Sequence, residues 1–154
     1  MNMKSCMVST VLISLLGMLH GCAPGKRPFL MVQVCLRDEQ NLGLFTSMMK
    51  SIAQSESMNF IDNSAATQNE LASLKANPNS RVINIGVERK DGMGMSAGNL
   101  GLPSYQVALG FSEGSSSSEA HRFSDVVVAA LKQRWHVEAV KPGKGALPMK
   151  TCER

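Results

Sequence analysis

The sequence predicts a single α+β or α/β domain, built as a mixed sheet of about five strands with helices packed on it. Two observations carry this. Segments with apolar residues at every second position alternate along the chain with segments where they recur at three and four. No internal repeat or shift of composition divides the body, whose length suits one compact domain.

Residues 29–36, FLMVQVCL, are rich in strand formers and almost continuously apolar, the pattern of a strand buried on both faces. Leu42, Phe45, Met48, Met49 and Ile52 then fall along one helix face, with Asp38 and Glu39 at the start where the helix dipole favours negative charge. MNFID, residues 58–62, predicts a second strand. Ser64 is placed to cap a short helix carrying Leu71 and Leu74, which should stop near Asn77 and Pro78.

A strand pair follows, with Ile83, Ile85 and Val87 on one face of the first and Tyr105, Val107, Leu109 and Phe111 on one face of the second. Ser116 and Glu119 in GSSSSE fit a capping box for the last helix, whose apolar stripe is Ala120, Phe123, Val127, Ala130 and Leu131. WHVEAV, residues 135–140, predicts the final strand.

Between the paired strands lies KDGMGMSAGNLGLP, residues 90–103. Its four glycines do not follow the phosphate-loop pattern, and a strand rather than a helix comes next, so it reads as a flexible hairpin loop. Loops this long are uncommon and often functional. Met93, Met95, Asn99, Leu100 and Leu102 are therefore the candidate partner-binding residues, the methionines offering adaptable apolar contact area.

At the N-terminus a single cation, Lys4, precedes a short apolar run over residues 8–19. A bilayer-spanning helix needs about 20 apolar residues, so this run has the shape of a cleaved secretory signal. It ends in Leu19-His20-Gly21-Cys22, which resembles the lipobox of bacterial lipoproteins, although His20 departs from the usual small or aliphatic choice. The resemblance implies that Cys22 becomes the acylated first residue of the mature chain, with palmitate among its acyl groups. Ala23 in place of aspartate implies sorting to the outer membrane, facing the periplasm. The expected organisation is a signal peptide over 1–21, a lipidated N-terminus and linker over 22–28, one domain over 29–141 and a tail over 142–154.

With Cys6 in the signal and Cys22 acylated, Cys35 and Cys152 remain, and in an oxidising compartment they are expected to bond. The bridge would pin the tail, whose Pro142, Gly143, Gly145 and Pro148 suit neither helix nor strand. A structural zinc site wants about four ligands, and two cysteines with His121 and His136 lack the paired spacing, so neither metal nor cofactor is expected.

The chain holds 16 basic and 12 acidic residues, and losing Lys4 with the signal lowers its formal charge from +4 to +3. That balance, without a stripe of cations among aromatics, argues against nucleic acid. Lys26 and Arg27 could touch anionic headgroups beside the anchor, but solvated linker charges are the simpler reading.

Catalytic chemistry is poorly represented. His121 and Asp125 lie four apart on the last helix and could pair; Ser115 to Ser118 resemble a cap, with no nucleophile elbow around them; and His136 beside Trp135 reads as a strand residue. No pair stands out among Asp62, Glu70, Glu88, Asp91, Glu113 and Asp125 for glycosidic work, so an enzyme is not expected.

Three readings follow. The first is a periplasm-facing protein-binding module, in one concrete version an immunity or inhibitor lipoprotein acting against an envelope-targeting toxin or lytic enzyme. The second is an envelope-assembly factor, because the element order over residues 29–111 is loosely similar to the lipoprotein activators of penicillin-binding proteins. The third is a hydrolase using His121 or His136.

Overall fold

The computed structural model describes residues 27–75, 81–103, 105–141 and 144–152. The signal segment, the lipobox and Cys22 lie outside the described residues. In chain order the elements are β1 (Leu30–Cys35), α1 (Glu39–Ser55), β2 (Asn59–Asp62), α2 (Ser64–Ser73), β3 (Asn84–Glu88), β4 (Met93–Gly98), β5 (Gln106–Glu113), α3 (Ser117–Lys132) and β6 (Val137–Ala139).

The fold is α+β: one six-stranded sheet in the order β2-β3-β4-β5-β1-β6, every neighbouring pair antiparallel, with three helices. The sixth strand is the segment expected to be a loop. Met93, Met95 and Ala97 alternate with Gly94, Ser96 and Gly98, and β4 pairs with β3 on one side and β5 on the other. The β3–β4 turn is closed by Gly92 N–H donating to the Arg89 carbonyl, with Gly92 in the left-handed region at φ 86°. At Gly94 a side chain would begin 2.2 Å from the Val87 carbonyl oxygen, so glycine here permits close pairing and does not signal a loop.

Register puts Val32, Val34, Ile85, Val87, Met93, Met95, Ala97, Val107, Leu109 and Phe111 on one face of the sheet, and all are buried. On that face α1 packs over β2 and β3, bringing Leu42, Phe45, Met49 and Ile52, while α3 packs over β4, β5 and β6, bringing Ala120, Phe123, Val127 and Leu131. The Phe111 and Phe123 rings meet edge to face at 6.2 Å.

Asp38 caps α1 by accepting from Asn41 N–H at 2.8 Å, and Ser116 caps α3 by accepting from Glu119 N–H. Only half of the expected capping box forms, because the Glu119 carboxylate accepts from Arg89. Ser64 is the first residue of α2 rather than its cap, and its hydroxyl accepts from Asn84 N–H. That helix buries no residue and is tied to β3 by polar bonds, Gln68 accepting from Val82 N–H and Thr67 from the Asn84 amide. It ends at Ser73, ahead of Asn77 and Pro78, which lie outside the described residues. Trp135 precedes β6, its indole N–H donating to Asn41 on α1.

Candidate functional site: the uncovered face of the sheet

Among the described residues, no helix covers the opposite face of the sheet, which carries neither α1 nor α3. Along β3 it presents Gly86 between Asn84 and Glu88, along β4 Gly94, Ser96 and Gly98, and along β5 Ala108, Gly110 and Ser112. Period-two alternation thus sends every large apolar side chain of these three strands into the core and leaves a floor of small residues outside. Pro28 lies across this floor, 3.4 Å from where a side chain on Gly110 would begin. A shallow depression of about 350 Å³ lies between Pro28, Met31, Ser96, Gly98, Leu100 and Gly110.

One end of this face is closed by the tail. Gln106, fully buried, accepts from Met149 N–H at 2.8 Å and donates to the Leu147 carbonyl at 2.7 Å. Gln33 accepts from Leu147 N–H and from the Gln106 amide, and its own amide donates to Glu138. Two side chains thereby satisfy an extended backbone as a neighbouring strand would, and Met149 is buried beneath it. The Cys35–Cys152 disulfide joins this tail to β1, with a Cα–Cα separation of 5.5 Å.

The five loop residues separate. Met93 and Met95 are buried in the core on the helix side, which corrects their expected role in partner contact: as β4 residues their side chains are spent on packing. Asn99 is buried and accepts from Ile83 N–H while donating to the Arg81 carbonyl, fixing the chain as it leaves β4. Leu102 is half-buried in the turn that its N–H closes on the Asn99 carbonyl. Leu100 is 55% exposed and stands at the rim of the depression, the one member of the set placed on the uncovered face. No motif marks the small-residue floor in the sequence; its signal there is the alternation of large apolar and small residues in β3 and β5.

The polar residues with catalytic potential are dispersed. The His121 ring packs edge-on against Phe29 at 4.6 Å. His136 Nε2 lies 3.1 Å from Glu138, two residues along the chain. Ser115 does find a carboxylate, its hydroxyl donating to Asp91, which also binds Arg89 through two nitrogens. Arg89 and the Ser115 hydroxyl hold the Asp91 carboxyl well below the usual carboxylate range. Asp91 and Glu119 in turn raise the Arg89 guanidinium above its ordinary value. This arrangement ties the β3–β4 turn to the start of α3. Among the described residues, no three His, Cys, Asp or Glu side chains group to hold a metal ion, and no helix is long and apolar enough to cross a membrane.

Comparison with protein-family models, with curated proteins and with solved structures found no match.

Proposed function

We propose that the chain is a periplasm-facing outer-membrane lipoprotein, anchored through acylated Cys22, whose domain is a protein-binding module. In its most specific form it is an immunity or inhibitor protein against an envelope-targeting toxin or lytic enzyme. The observation that supports binding is the uncovered sheet face, where a small-residue floor beside exposed Leu100 lets a partner approach the backbone closely. The lipobox-like Leu19-His20-Gly21-Cys22 supports the anchor, and the Cys35–Cys152 bond suits an oxidising compartment.

Affinity capture with the Cys22→Ser chain, followed by mass spectrometry, tests the module. A retained toxin or lytic enzyme that Ser96→Arg on the floor no longer holds is the expected result. A wall synthase or secretion component, released by the same change, would shift the reading to an envelope-assembly factor. Retention unaffected by Ser96→Arg, or no partner at all, would remove the face from consideration. The anchor is tested separately by labelling cells with a palmitate analogue, where label on wild type that is lost in Cys22→Ser is expected and an unlabelled wild type overturns it.

A further inference from the structure

A second surface, sharing Pro28 and Met31 with the depression on the small-residue floor, opens where the described chain begins. A groove of about 640 Å³ runs between the start of β1 and the segment after β6, lined by Pro28, Met31 and Val140 and edged by Arg27, Lys141 and Lys144. No carboxylate lines it, and none of its three cations forms an ion pair among the described residues. The nearby carboxylate of Glu138 is occupied by the Gln33 amide and His136.

The C-terminal part of the sequence carries an excess of positive charge, of which Lys141 and Lys144 stand at the groove. Residues 132–154 hold six Lys and Arg against two Glu, whereas residues 28–131 hold seven against ten Asp and Glu. A groove with an apolar floor and a purely cationic rim matches a ligand whose anionic group is joined to hydrocarbon. The end of the described chain favours a lipid surface as its source. Arg27 lines the groove and follows Cys22 by five residues, a span of at most about 18 Å at full extension.

We propose that this groove is a headgroup site for anionic phospholipid: Arg27, Lys141 and Lys144 hold the phosphate, and Pro28, Met31 and Val140 receive the first methylenes. Seated there, the domain would rest against the bilayer by the end from which its N-terminal segment leaves, with the small-residue floor alongside. The membrane in this picture rests on the anchored reading, but the headgroup site does not, because it needs no acyl chain on Cys22.

The test uses the full chain and dihexanoyl phosphatidylglycerol below its micelle concentration, followed by amide NMR. The expected result is saturable shifts in residues 27–31 and 139–145, weakened by salt and at least about tenfold weaker in Lys141→Glu/Lys144→Glu. Both lysines are exposed, and Lys141→Gln/Lys144→Gln provides a milder pair that should weaken binding in the same direction. Dihexanoyl phosphatidylcholine should shift these amides far less.

Equal response to the two lipids, or unchanged binding by the charge-reversed pair, would overturn the proposal. Inorganic phosphate acting at the same concentration would make this a free-anion site and also overturn it. Reversal of Lys50 and Lys90, which lie outside the groove, should leave binding intact; an equal loss there would reduce the effect to net charge. Failure of palmitate labelling at Cys22 with intact phosphatidylglycerol binding would sink the anchor and leave the site standing.

Discussion

Asp91 accepts five hydrogen bonds, two from Arg89, one from Met93 N–H and two from Ser115, and so links the β3–β4 turn to the approach to α3. Its carboxyl is held well below the ordinary 3.8, so the folded state keeps the charge to lower pH than the unfolded chain. The stabilisation is therefore complete above the unfolded value and is lost as pH falls through the lowered one. Melting temperature measured from pH 6 to pH 2 should fall below about pH 4 in wild type and less steeply in Asp91→Asn. Arg122 holds Glu56 low in the same way, so some slope should persist in the variant. Parallel curves would mean that the Asp91 cluster contributes nothing. The sequence could offer Ser116 as a cap, because cap and recipient are three residues apart, but Asp91 and Ser115 meet only after folding brings them together across 24 residues.

At the scale of elements, legibility followed the strength and type of the apolar pattern. The strand β1 was readable because burial on both faces makes it a nearly continuous apolar run, and the helices α1 and α3 because burial of one face imposes a clear period on each. An alternation also exists in β4, but Gly92, Gly94, Gly98 and Gly101 concealed it, since glycine marks flexible loops as well as close strand pairing. The distinction is measurable. Met95→Ala should cost about 2 to 5 kcal/mol in denaturant unfolding, whereas Leu100→Ala should stay within about 0.5 kcal/mol. Similar small costs at both positions would place residue 95 outside the core. The proposed partner binding should show the reverse sensitivity, because Leu100 borders the floor and Met95 faces the helices. Of the residues singled out from the sequence, Leu100 alone borders this face, and the floor itself was hard to read because small side chains have no apolar signature of their own.

For the molecule as a whole, the disulfide joins residues 117 apart and encloses nearly the entire domain. The chain-entropy model gives about 4 to 5 kcal/mol for a loop of this size, an upper value. Reduction should lower the denaturant midpoint accordingly, and an unchanged midpoint would show that the tail is held by Gln33, Gln106 and Met149 alone. The strand order has another consequence. The run β2-β3-β4-β5 follows chain order, but β1 is inserted between β5 and β6, so the earliest strand pairs only with the two latest. A chain emerging N-terminus first must leave one margin of this apolar strand unmatched until β5, ending at residue 113, has been delivered and the other until β6, ending at residue 139, has followed. During that interval β1 presents unpaired backbone to aggregation, a hazard that the finished sheet, where β1 is an inner strand, no longer reveals.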